Sequence, residues 1–300
     1  MRGWSAIAAV LVATFAFGAT AETGRSCSLE AGRSRHEVEV VLGYKRNYEV
    51  VVGPKADSLE AAPLVFAWHA FGQNPKLFAR TIDIARDWPE AVVVAAQGLR
   101  RTLPHSPRRE RGWQVALGEY DNRDLAFFDA LLADVSQRYC IDPRRVMSTG
   151  YSNGGSFTNL LGCLRGDVLA AIAPVAGSGP LLDTTCQQPL PALVQHDERD
   201  KLIPFQVGVT SFAHWAHNNA CESPPKGLPR GCADAMGCKV QTRFCVTSYG
   251  RHVWPGGTTR RIVEFFRQQR RAEAPARAPE LDPLAPQNGT RDEADALGVR

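Results

Sequence analysis

A chain of 300 residues, 44% hydrophobic and 22% charged, has the composition of an ordinary globular protein with room for a substantial core. Its formal charge of +4 is modest and its arginines are scattered. No basic run carries interleaved aromatics, so the chain does not look like a nucleic-acid binder.

The N-terminus opens with Arg2, an apolar stretch from Trp4 to Phe17, and Ala19-Thr20-Ala21, which has the form of a cleavage site. Residues 1–21 are therefore expected to be a signal peptide, with the mature chain starting near Glu22. The apolar stretch is short for a membrane span, and no later segment approaches the ~18 apolar residues a span needs. A secreted protein without membrane contact after cleavage is expected. All eight cysteines follow the expected cut: Cys27, Cys140, Cys163, Cys186, Cys221, Cys232, Cys238 and Cys245. An even count in an oxidising compartment suits disulfides, although the sequence does not choose their pairing. There is no C-x-x-C and no paired Cys/His spacing, so a zinc site is disfavoured, and the serine chemistry read below is expected to need neither metal nor cofactor.

Beyond the signal segment, HEVEVVLGYKRNYEVVVG alternates apolar and polar residues about Gly43-Tyr44, the pattern of a β-hairpin. PLVFAWHAFG is a nearly all-apolar run of strand length, as expected of a strand buried on both faces. LFARTIDIARDW has helical periodicity, and AVVVAAQG is a second buried strand. Residues 98–122 form a polar insertion too long for a simple connection, a possible lid over a cleft. A helix, DLAFFDALLADVSQRYC, leads to the strand RRVMSTG, a helix opening at Asn153, and the strands LAAIAPVAG and LPALVQH. SFAHWAHNN is helical. A Pro-, Gly- and Cys-rich excursion over 218–239 follows, in which the four cysteines from 221 to 245 are expected to staple one late segment. KVQTRFCVTSY is the last strand and TTRRIVEFFRQQRR the last helix. Residues 271–300, rich in Ala, Pro and charge, are expected to be a disordered tail. Buried strands alternating with helices argue for one α/β domain over 22–270, a mostly parallel central sheet with helices on both faces.

STGYSNGGSF, residues 148–157, carries the chemistry. Gly150-Tyr151-Ser152-Asn153-Gly154 lies between a strand and a helix, where a tight turn exposes a serine hydroxyl above the sheet. Ser152 is the candidate nucleophile, and the Asn153 amide at the helix start is one candidate oxyanion donor. A serine needs a base. Of the histidines that follow, His214 and His217 fall in a helix and His196 ends a strand. His252, in the loop YGRHVWPGG before the last helix, is the candidate base. The acid should follow LPALVQH, which offers Asp197 and Asp200, with Glu198 behind them; position favours Asp200. The second oxyanion donor is expected at Ala70 or Phe71 in WHAFGQN, with His69 orienting that loop. Trp113 and Trp254 are candidates to flank the cleft and stack on an aromatic acyl group or a sugar.

Taken together, LVFAWHAFGQN, AAQGL…GWQ, YCIDPRRVMSTGYSNGG, HDERDKLIP and GRHVWPGG resemble the secreted feruloyl esterase and polyhydroxybutyrate depolymerase-like family, which is similar to carbohydrate esterase family 1. The resemblance spans roughly residues 36 to 270. It implies an α/β-hydrolase fold and a serine esterase with Ser152, Asp200 and His252 as triad, and its H-G-x-x-D-x-x-x-P pattern aligns Asp200 and Pro204. It also implies an ester of plant-wall polysaccharide as substrate, or alternatively a short-chain polyester. The chain departs from the family pattern at Ala70 and Asp197, where glycine is usual, and at Arg251, which places a charge beside the candidate base. A rival reading is a catalytically silent binding protein on the same scaffold.

Overall fold

The computed structural model describes residues 27–40, 44–102, 107–180, 184–223 and 231–273. The expected signal peptide, and all but the first three residues of the expected tail, lie outside the described residues. The N-terminal hairpin is present: β1 (Gly32–Val40) and β2 (Tyr44–Val52) pair antiparallel from Gly32↔Val52 to Val40↔Tyr44. β3 (Ala62–Trp68) and β4 (Val92–Ala96) precede a small hairpin of β5 (Leu99–Thr102) and β6 (Arg109–Gly112). Then come β7 (Ile141–Tyr151), β8 (Ala171–Val175), β9 (Ala192–Asp197), β10 (Gly231–Asp234) and β11 (Thr242–Thr247). Every residue of β3, β4, β8 and β9 is buried, because helices cover both faces of these strands. β4-β3-β7-β8-β9-β11 are mutually parallel; β2 lies antiparallel to β4 with β1 outside it at one edge, and β10 lies antiparallel to β11 at the other.

The helices are α1 (Pro75–Ile82), α2 (Ile84–Asp87), α3 (Arg123–Arg138), α4 (Asn153–Leu164), α5 (Phe205–Asn218) and α6 (Thr258–Arg267). One face of the sheet packs with α3, α4 and α5 around Phe66, Trp68, Phe128, Phe157 and Trp215. The other packs with α1, α2 and α6 around Val65, Phe78, Ile82, Ile262 and Phe266. LFARTIDIARDW is not one helix but two, broken at Asp83 with φ 36°. Ile82 and Ile84 are each 1% exposed. On a continuous helix they would point about 200° apart and could not both enter the core. Aspartate tolerates the left-handed break better than most residues.

The polar insertion at 98–122 contains the β5–β6 hairpin and is anchored to the domain through Trp113, whose backbone bonds to the Asn153 side chain. Arg101, buried within it, donates to the Trp113 carbonyl and pairs with Glu119 at 3.1 Å. Four disulfides form: Cys27–Cys140, Cys163–Cys186, Cys221–Cys238 and Cys232–Cys245. The last two interlock, so the late excursion is stapled as its composition suggested. No helix among the described residues is long and apolar enough to cross a membrane.

From β3 the chain adds β4 on one side, and the next strand of the large sheet, β7, lies on the other. The strand order therefore reverses between β3 and β7. In open α/β sheets, ligands bind beyond the C-terminal strand ends at such a switch point.

Candidate active site

Trp68 and Gly150 are register partners at the ends of β3 and β7, so the loop after Trp68 and the turn at Ser152 emerge side by side at the switch point. Ser152 holds φ 55° and ψ −119°, a backbone that costs a residue with a Cβ of order 1–3 kcal/mol. Its N–H donates to the Val175 carbonyl at 2.9 Å, and its carbonyl accepts from the Ser156 N–H at 2.9 Å. The flanking glycines answer to close approach. A Cβ on Gly150 would stand 2.2 Å from the Gly154 carbonyl oxygen, and one on Gly154 2.0 Å from that of Trp68.

Asp200 lies in the loop after β9 and His252 in the loop between β11 and α6. His252 Nδ1 donates to Asp200 Oδ2 at 2.6 Å. Asp200 Oδ1 accepts from the N–H groups of Leu202 at 2.8 Å and Ile203 at 3.0 Å. Burial works to raise the Asp200 pKa, but the bond from His252 and these two N–H groups outweigh it, holding the carboxyl below its ordinary value. With Nδ1 committed to Asp200, Nε2 is the nitrogen left to accept a proton, and it is buried without a hydrogen-bond partner. Ser152 Oγ does not bond to it here; in serine hydrolases such contacts often tighten only with substrate bound. The His252 ring stacks on Tyr151, the residue before Ser152, with centroids 4.9 Å apart. His196 acts from behind: its Nε2 donates to the Ile203 carbonyl at 2.9 Å, bracing the loop that carries Asp200.

Asp197, the acid less favoured by position, is not a solvated loop carboxylate. It is 3% exposed. It accepts from the N–H groups of Tyr249, Gly250 and Arg199 and from the Thr247 hydroxyl, so it fixes the loop that carries His252. Burial works to raise its pKa, but these donors lower it overall. A lowered native pKa means that the stabilisation is present above the unfolded value, about pH 4, and is lost as pH falls through the folded value. Asp197→Asn is therefore expected to lower stability by about 2 kcal/mol near neutral pH and by less near pH 3. Urea unfolding at both pH values checks this; an equal loss at both would remove the charge from the explanation.

The oxyanion candidates separate. Asn153 begins α4, and its side chain is locked to Trp113, accepting from the Trp113 N–H at 2.7 Å and donating to the Trp113 carbonyl at 2.9 Å. Its own backbone N–H, in the first turn, stays available. The Ala70 N–H, in contrast, donates to Gln73 Oε1 at 3.2 Å. Of the pair Ala70 and Phe71, only the Phe71 N–H is without a partner among the described residues. His69 does orient this loop. Its Nε2 accepts from the Gly98 N–H at 3.0 Å, so Nδ1 carries the proton and donates to the Ala70 carbonyl at 2.8 Å. Burial drives the His69 pKa down to about 4, which keeps the ring neutral.

Trp113 does not flank the cleft. It is fully buried, stacked on Phe157 at 5.4 Å and edge-on to Trp68 at 5.0 Å, with its indole N–H donated to the His69 carbonyl at 3.0 Å. Its backbone bonds to Asn153 make it a brace under the elbow. Trp254 does line a cleft of about 200 Å³, with Tyr151, His252, Val253, Gln73, Leu77, Phe78 and Thr81. Arg251, next to His252 in the chain, is exposed. Cys163, Cys186 and His214 converge, but both sulfurs are consumed in the Cys163–Cys186 disulfide and offer no thiolate to a metal.

No family model matches the chain. A probable feruloyl esterase C of Aspergillus flavus is 32% identical over 228 residues, covering 71% of this chain and 78% of that one. Feruloyl esterase D of Neurospora crassa is 25% identical over 218 residues, covering 68% and 70%. Among solved structures, an acetyl xylan esterase from Aspergillus awamori superposes with TM-score 0.60 at 12% identity, over 78% of this chain and 98% of that one. A CE1 ferulic acid esterase from Anaeromyces mucronatus, in complex with ferulic acid, superposes with TM-score 0.54 at 12% identity, over 79% and 90%. The fold is that of the α/β-hydrolases.

Proposed function

Since the chain belongs to the feruloyl esterase family, we propose that it is a secreted serine esterase releasing feruloyl or related acyl groups from plant cell-wall polysaccharide. Ser152 attacks the ester carbonyl while His252 Nε2 takes its proton. His252 then protonates the departing alkoxide, and a water activated by the same nitrogen frees the acid. Asp200 holds the imidazole in the tautomer that leaves Nε2 as acceptor. The N–H groups of Asn153 and Phe71 meet the developing oxyanion. Tyr151, Phe78 and Trp254 give the acyl cleft aromatic walls.

The observation that carries this reading is the 2.6 Å bond from His252 to a buried Asp200, beside a serine held in a strained turn. A binding protein would have no use for that strain. Four disulfides favour an oxidising compartment, and hence export.

Exposed Leu77 and Val253 at the cleft keep the polyester alternative in view, since an apolar rim also suits an apolar polymer. Parallel assays on methyl ferulate and on short-chain hydroxybutyrate esters distinguish the two. Turnover of the ferulate with at least about tenfold higher kcat/KM, roughly 1.4 kcal/mol of discrimination, is expected. The reverse preference would assign the polyester instead.

A further inference from the structure

A second, larger concavity, of about 410 Å³, lies on the other flank of α1 and is lined by Arg33, Arg35, Lys76 and Arg80 together with Asn47 and Gln97. Arg33, Arg35, Lys76 and Arg80 are all exposed, and none is in an ion pair among the described residues. The one carboxylate on its wall is Glu49, opposite Arg35 in the β1–β2 ladder. Four cations therefore face one anion in a concave, amide-lined space. Exposed arginines bind planar carboxylates through paired N–H groups, and a concave wall concentrates their field.

The position of this pocket ties it to the candidate active site. α1 separates the two: Asn74, Lys76 and Arg80 face the basic pocket, while Gln73, Leu77 and Thr81 face the cleft with His252. Lys76 and Arg80 stand about 100° round the helix from Leu77 and Thr81, so the pocket and the cleft border neighbouring faces of α1. Gln97 links the basic pocket to the loop after β3. It lines the basic pocket and lies 3.1 Å from His69 Nε2 in the loop that presents Phe71, while its carbonyl accepts from buried Arg46 at 3.0 Å. A polymer whose ester lies at Ser152 would pass over α1 into the cations.

We propose that this pocket is a subsite for a carboxylate-bearing sugar of the polysaccharide, so that the enzyme prefers esters on acidic chains. The inference rests on the polysaccharide esterase reading for its biological sense, but its test does not require turnover. The full chain is titrated calorimetrically with a short oligogalacturonate and with a neutral xylo-oligosaccharide of equal length. The acidic ligand is expected to bind more tightly, with an affinity that falls as salt screens the cations. Arg33→Gln/Arg35→Gln/Lys76→Gln/Arg80→Gln is expected to weaken it at least about tenfold, the combined effect of four exposed charge contacts. Lys76→Gln/Arg80→Gln alone, on the exposed side of α1, gives a smaller loss and serves if the fourfold variant folds poorly. Equal affinity for the two oligosaccharides, or acidic binding unchanged by both variants, would overturn the subsite. Selective binding in a protein that releases no ferulate would leave the subsite standing and count against the feruloyl reading alone.

Discussion

Ser152→Ala is expected to lower kcat on methyl ferulate by about a millionfold while leaving the fold intact, the loss typical of a serine hydrolase deprived of its nucleophile. Alanine keeps the Cβ, so the strain at φ 55° is unchanged and an altered backbone would not explain the loss. What remains is the rate provided by binding and by the N–H groups of Asn153 and Phe71. Ser152→Gly separates strain from chemistry. It should be as inactive as the alanine variant yet more stable than wild type by about 1 kcal/mol, because glycine adopts positive φ without penalty. Activity above a few per cent in either variant would contradict the assignment of Ser152.

The second large effect is expected at Asp200. Asp200→Asn preserves the side-chain shape, but the amide can donate to His252 Nδ1 and so stabilise the tautomer with its proton on Nε2, the wrong one for accepting from serine. A loss of about ten-thousandfold in kcat follows, from the tautomer and from the missing negative charge opposite the imidazolium. The same change at Asp197 tests the division of labour between the two acids. Asp197 bonds the backbone of the loop and not the ring of His252, so Asp197→Asn should chiefly cost stability. If Asp197→Asn lost as much kcat as Asp200→Asn at temperatures where both are folded, the acid would be misassigned.

Much of this architecture is legible in the sequence. Strands buried on both faces announce themselves as unbroken apolar runs, and VFAW, VVVAA and ALVQH are all found where such runs fall. The elbow is legible because its geometry demands small residues at fixed offsets from Ser152. Position along the chain sets His252 apart from His214 and His217, since it lies in the loop between the last strand and the last helix while they lie on α5. Contacts between distant segments leave no such mark. Nothing local to Trp113 says that Asn153, 40 residues on, will clamp its backbone from both sides. An aromatic beside a polar insertion therefore looks like a cleft residue when it is a brace. Asp197 is similarly opaque, because three of its four donors lie 50 to 53 residues away, at the end of β11 and in the histidine loop. Gln73 occupying the Ala70 N–H is a matter of rotamer, and neither composition nor spacing records it. The break at Asp83 did leave a trace. Isoleucines two apart on a helical stretch are out of phase with a single buried face, and periodicity read over the longer window hides this.

Ester hydrolysis by one activated serine, Ser152, underlies the proposed function. It is tested most directly by treating the oxidised, folded protein with a fluorophosphonate and following methyl ferulate hydrolysis in the same sample. A single adduct on Ser152 is expected, within the tryptic peptide between Arg145 and Arg165, with activity falling in proportion to labelling and no adduct on Ser152→Ala. An unlabelled Ser152 in a protein that still hydrolyses the ester, or full activity after stoichiometric labelling, would contradict it.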